Sequence, residues 1–148
     1  MKMKMYMRKW VTQMGLDNGI CVKKNALTKS INLNDTFIGD SYNRDEIDIT
    51  YWRKCWGLRN DIIDYLTKKY KVNDDSYSFN LEAEDIKQII EILINWYDKK
   101  KWNSESQSIW TWKEIKGNLL DSIRNLSYLL GKMEDYPNEF IVYFYDSY

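Results

Sequence analysis

The chain is 148 residues long, with 22 Lys+Arg against 22 Asp+Glu and no histidine, so its formal net charge is zero. A composition that is 44% hydrophobic and 30% charged argues against intrinsic disorder and against a membrane span, and the length suits one domain able to bury about two-thirds of its unfolded surface. The missing histidine excludes Ser-His-Asp and Cys-His nucleophile pairs, His-ligated zinc and the usual neutral-pH proton shuttle.

Residues 1–13 open Met1-Lys2-Met3-Lys4-Met5 and carry four cations and no anion. They lack the apolar run of a secretory signal and read as a basic leader, in the form of an edge strand, a disordered arm or a surface-active segment. Without them 18 cations face 22 anions, so the single domain expected over 14–148 has a net charge of −4.

Gly15–Lys24 alternates loosely and predicts a first strand, with Asn18-Gly19 as a bulge or turn. Asn25–Asn43 is polar and reads as a loop with one helical turn around Phe37. Ile47, Ile49 and Tyr51 alternate with Asp48 and Thr50, a short strand signal. The 3.6-residue spacing of Trp52, Cys55, Arg59, Ile62, Ile63 and Leu66, with Trp56 beside them, then predicts a helix from Trp52 to about Lys69. Arg59 is the polar intruder on that apolar stripe.

Asn73-Asp74-Asp75 is a turn signal, and Tyr77 and Phe79 suggest a brief strand. Asn80 is placed to cap a second helix whose stripe is Ile86, Ile89, Ile90, Leu93, Ile94 and Tyr97. Its expected end is Lys99-Lys100-Lys101, a cationic run that suits a helix C-terminus better than a phosphate site. After the polar loop 102–108, Thr111-Trp112-Lys113-Glu114 has the form of a capping box. The third helix it opens buries Trp112, Ile115, Leu119, Ile123, Leu126 and Leu130 and stops at Gly131. Asp135-Tyr136-Pro137-Asn138 is a turn, and Phe140–Tyr145 is apolar on both faces, as in a central or well-covered strand that pairs with the first. The expected fold is α+β: three main helices on a small, mainly antiparallel sheet that includes the N-terminal and C-terminal strands.

Aromatic residues reach 16%, with 7 Trp and 12 Tyr against 4 Phe, so most rings carry a hydrogen-bonding tip suited to half-buried or contact positions. They serve either as core filler or as a binding surface. Cys21 and Cys55 stand far apart without a metal or disulfide motif, and read as reduced, partly buried thiols of a cytoplasmic protein. Phosphate-cradling glycine motifs are absent, and no cofactor is implied. Glu114-Ile115-Lys116 matches half of a nuclease signature, but on a helix. Asp45, Glu46 and Asp48 could hold Mg²⁺ through carboxylate oxygens, or form a solvated strand edge.

The cluster that carries most chemistry is Tyr51-Trp52-Arg53-Lys54 with Trp56 and Arg59. A nucleotide-like ligand could stack on its rings while arginine forks to an anion, in a pocket completed by Asp17. The competing reading is structural: Arg59 packs on tryptophan and pairs with a buried carboxylate such as Asp17. Duplex nucleic acid is disfavoured by the zero net charge.

Met14-Gly15-Leu16-Asp17-Asn18-Gly19-Ile20, Tyr51-Trp52-Arg53-Lys54 and a Tyr-rich C-terminal strand resemble a family of small phage, prophage and clostridial proteins without an assigned activity. The resemblance spans about residues 14–148, and members usually begin at the residue matching Met14. Where many relatives carry Asn and His after the Tyr-Trp-Arg-Lys motif, this chain has Trp56 and Arg59, which removes histidine chemistry and favours binding over catalysis. The resemblance implies a phage or mobile-element accessory protein in the host cytoplasm, a counter-defence factor that sequesters a nucleotide signal or masks a host protein. The alternatives are a metal-dependent phosphodiesterase or nuclease, and a homo-oligomeric interaction module.

Overall fold

A computed structural model describes residues 17–24, 40–43, 46–53, 55–72, 78–99 and 112–147. In chain order the elements are β1 (Asp17–Lys24), β2 (Asp40–Asn43), β3 (Glu46–Arg53), α1 (Trp56–Tyr70), β4 (Ser78–Asn80), α2 (Ala83–Lys99), α3 (Trp112–Asp135) and β5 (Phe140–Ser147). The strands form one sheet in the order β2-β3-β1-β5-β4, antiparallel at every joint. This is the expected α+β fold, and the first and last strands are indeed neighbours.

Strand alternation sorts the sheet into two faces. Asn18, Ile20 and Val22 of β1 lie in register with Trp52, Thr50 and Ile47 of β3, and with Asp146, Phe144 and Val142 of β5. All nine are buried, and Phe79 of β4 extends the row beside Phe144. Helix stripes cover this face: Leu58, Ile62 and Leu66 from α1, Ile86, Ile89 and Leu93 from α2, and Ile115, Leu119 and Leu126 from α3. The other face carries Asp17, Gly19, Tyr51, Arg53, Tyr143 and Tyr145.

Four boundaries differ from the sequence expectation. The strand containing Tyr51 continues through Trp52 to Arg53, and the helix begins only at Trp56. A strand residue pointing inward and a helix residue on the buried face satisfy the same apolar pattern, so Trp52 fitted both. Asn18-Gly19 is not a turn: Gly19 sits inside the ladder opposite Tyr51 and Tyr145, and the register shift falls between Ile20 and Cys21. A Cβ at Gly19 would stand 2.3 Å from the Thr50 carbonyl oxygen and 2.9 Å from the Tyr145 hydroxyl, so close approach requires the glycine. Asn80 ends β4, and α2 starts at Ala83, where the Asp85 carboxylate accepts the Glu82 N–H at 2.8 Å. Finally, α3 runs through Gly131 to Asp135, and the turn that follows uses Asn138 in the left-handed region at φ 66°.

The expected loop to Asn43 ends in strand β2, which pairs with only the first part of β3. Helix α3 covers the rest of that edge. Asn125 Nδ2 donates to the Ile49 carbonyl at 3.2 Å and Asn118 Nδ2 to the Tyr51 carbonyl at 3.5 Å, standing where a neighbouring strand would place its N–H groups. The leader, Met14-Gly15-Leu16, the turn around Phe37, Asp45, Lys54, Asn73–Tyr77, Lys100-Lys101, the 102–108 loop and Thr111 lie outside the described residues.

Candidate functional site

The six residues expected to form one site fall on two sides of the sheet. Asp17, Tyr51 and Arg53 lie on the outer face, where the Tyr51 hydroxyl donates to Asp17 Oδ1 at 2.5 Å. Tyr51 remains 37% exposed and Arg53 is exposed beside it. The hydrogen bond fixes the ring at the surface, which lowers the rotamer entropy that a contact there would cost.

Trp52, Trp56 and Arg59 lie inside, Trp52 on the inner face of β3 and the other two on the buried side of α1. Arg59 is 1% exposed and makes a forked contact with Asp146 of β5: Nε to both carboxylate oxygens at 3.1 Å and Nη2 to Oδ2 at 2.6 Å. Its Nη1 reaches Asn60 Oδ1 at 3.1 Å, and its guanidinium carbon stands 5.9 Å from the Trp56 ring. The buried carboxylate that pairs with Arg59 is therefore Asp146 and not Asp17. A buried guanidinium with a bidentate carboxylate partner fastens the start of α1 to the last strand. Trp52 is held in turn by α3, where its Nε1 donates to Ser122 Oγ at 3.1 Å, and the same hydroxyl lies 2.5 Å from Thr50 Oγ1.

Of the acidic residues grouped for Mg²⁺, Glu46 and Asp48 have other partners. Glu46 accepts the Tyr143 hydroxyl at 3.0 Å, and Asp48, 7% exposed, accepts the Cys21 thiol at 3.6 Å. Among the described residues no three of His, Cys, Asp and Glu gather as a metal-binding group. Burial first, and the Asp48 charge second, push the Cys21 thiol up to about 12. Burial also raises Tyr143, with Cys21 and Glu46 adding to the effect. Cys21 and Cys55 are both free and both buried, and Cys55 donates to the Arg53 carbonyl at 3.2 Å.

Two clusters escaped sequence reasoning. Asp85, fully buried at the start of α2, accepts Lys69 Nζ at 2.7 Å, the Tyr65 hydroxyl at 2.7 Å, the Tyr70 hydroxyl and the Glu82 N–H. Burial opposes ionisation of this carboxyl, but the donors outweigh it, Lys69 foremost, and hold it below the ordinary carboxylate range. A helix-start acid followed by a buried apolar stripe was the available signal, yet the three partners come from α1. The second cluster is a groove of about 410 Å³ between α1 and α2, lined by Asp61, Asp64, Lys68, Gln88, Ile92 and Trp96 among others, in which Trp96 Nε1 donates to Asp61 at 2.7 Å. Here Trp96 occupies the buried position at the end of the α2 stripe, and Tyr97 is half-buried.

Comparison with protein-family models, curated proteins and solved structures returns no match. Among the described residues no helix is long and apolar enough to cross a membrane.

Proposed function

We propose that this protein acts by binding: a cytoplasmic accessory factor of a phage or mobile element that masks a host protein through the outer sheet face at Asp17, Tyr51 and Arg53. The observation that carries this reading is the arrangement of the arginines. Arg59, the cation that a nucleotide pocket would use, is 1% exposed and satisfied by Asp146, whereas Arg53 is exposed beside a tyrosine already fixed by Asp17. Tyrosine and arginine are the residue types that most often dominate protein interfaces, and a pre-oriented ring binds at lower entropic cost. This favours masking a protein over sequestering a nucleotide.

The test compares the wild-type chain with a Tyr51→Ala/Arg53→Glu variant as baits in a bacterial lysate. The reading expects one host protein to be enriched by the wild type and to lose about tenfold or more in affinity toward the variant, with the melting temperature unchanged within about 2 °C. Equal capture by the two baits would reject the surface. Calorimetric binding of a cyclic nucleotide or ADP-ribose derivative that is abolished by Arg59→Met, in a variant shown to stay folded, would replace masking with sequestration.

A further inference from the structure

The groove between α1 and α2 lies in the helix layer, on the other side of the sheet from Asp17, Tyr51 and Arg53. Its two walls run antiparallel. Asp61 near the start of α1 meets Trp96 near the end of α2, and Lys69 near the end of α1 meets Asp85 at the start of α2, each through a hydrogen bond of 2.7 Å. The helices are therefore fastened toward both ends of the groove, as the walls of a preformed ligand site are. Its volume of about 410 Å³ falls within the roughly 300–1,000 Å³ that small-molecule sites occupy.

All the charge lining the groove comes from α1, because every residue that α2 contributes is neutral. Asp61 and Asp64 are neighbours one turn apart, and Lys68 follows a turn later, so one end is acidic and the other basic. The acidic end also has the rings. Trp96 donates its indole N–H to Asp61 and Tyr65 donates its hydroxyl to Asp85, so both present mainly carbon surface to the groove. Ile92, one turn before Trp96, extends that surface. Asp61 meets Trp96 through Oδ2 alone, and among the described residues neither Asp61 nor Asp64 is in a salt bridge. Carboxylates beside apolar ring surface suit a cation with a hydrocarbon body. We propose that this groove binds an organic monocation, an alkylguanidinium or alkylammonium, with its head between Asp61 and Asp64 and its body along Tyr65, Ile92 and Trp96. A guanidinium fits best, since its planar fork of five donors can reach oxygens of both carboxylates. Lys68 limits the ligand to one positive charge, because a second one reaching along the groove would meet it. The masking of a host protein through the sheet face plays no part in this site.

NMR titration of the full chain tests it, with N-butylguanidinium as the probe and N-butylurea as its uncharged isostere. N-butylguanidinium should shift the Trp96 indole N–H resonance and saturate with a dissociation constant of about 1 mM, and N-butylurea should give no saturable shift. Asp64→Asn, at an exposed position, should weaken binding about tenfold while the melting temperature stays within about 2 °C of wild type. Lys68→Gln removes the like charge and should tighten binding about twofold. N-acetyl-arginine amide separates the two sources of such a head: binding at least as tight as that of N-butylguanidinium assigns the groove to an arginine of a polypeptide, and weaker binding assigns it to a free small molecule. No saturable shift with N-butylguanidinium up to about 20 mM, equal binding of N-butylurea, or an Asp64→Asn chain that binds like wild type would each overturn the proposal.

Discussion

Tyr51 and Trp52 are adjacent in the chain and lie on opposite faces of the sheet, and the two environments have little in common. Tyr51 is 37% exposed and bonded to Asp17 on the outer face. Trp52 is 1% exposed, bonded to Ser122, and part of an inner row that also holds Thr50 and Asp146. The inner face contains polar groups that the fold itself consumes. On the outer face, Tyr51 and Arg53 remain presented to solvent. A four-residue motif that looks like one aromatic-cation patch is thus two sets of residues, because strand alternation sends successive side chains in opposite directions. Chemistry that is contiguous in sequence is divided between a face that holds the fold and a face proposed to bind.

The largest effect that would break this division comes from the inner pair. Asp146→Asn removes the carboxylate charge that forks onto Arg59, a guanidinium 1% exposed, and should cost about 3–5 kcal/mol. Urea denaturation measures it as a drop in midpoint without a change in slope. A loss below about 1 kcal/mol would mean that the inner face is less dependent on its ion pair than the geometry implies.

A smaller, pH-dependent effect sharpens the contrast within α1, whose two ends are fastened differently. The start uses the Arg59–Asp146 pair, and the end uses Asp85, which accepts Lys69, Tyr65 and Tyr70. The folded Asp85 carboxyl titrates below its ordinary value, so its contribution is fully present above the unfolded pKa near about 3.9 and is lost as pH falls through the lower folded value. Stability of the wild type should therefore fall through this acid range, and Asp85→Asn should show a shallower fall between about pH 5 and 2. Parallel profiles for the two chains would show that Asp85 is not the titrating group.

The smallest effect belongs to the outer face. Tyr51→Phe removes one exposed hydrogen bond and should change stability by no more than about 1 kcal/mol. The same substitution frees the ring from Asp17, so the proposed partner should bind less tightly, with the change appearing mainly in the dissociation rate. Unchanged affinity would indicate that ring orientation is irrelevant to the contact.

The fold was largely legible because its signals are local. Ile47-Asp48-Ile49-Thr50-Tyr51 alternates at period two, Ile86, Ile89 and Leu93 repeat at helical spacing, and the apolar run from Phe140 needed two neighbours, which β1 and β4 supply. The junction at Trp52 was not legible, since burial is compatible with both periods there. Strand β2 was hidden too: Asp40-Ser41-Tyr42-Asn43 has no apolar alternation, and only its pairing with β3 makes it a strand. Arg59 stood out as a polar residue on an apolar stripe, but Asp146 lies 87 residues away, and its inward direction follows from the register of β5 against β1. Gly131 looked like a helix end because glycine is common there, yet α3 passes through it to Asp135.

The two arginines of this aromatic-cation cluster, Arg53 and Arg59, do different work. The most direct measurement is the urea midpoint of Arg53→Met beside that of Arg59→Met, two substitutions that remove the same charge and keep similar side-chain length. Arg59→Met should lose about 3–5 kcal/mol and Arg53→Met should stay within about 0.5 kcal/mol of wild type. Equal losses in the two variants would contradict the division between an inner face that holds the fold and an outer face left for a partner.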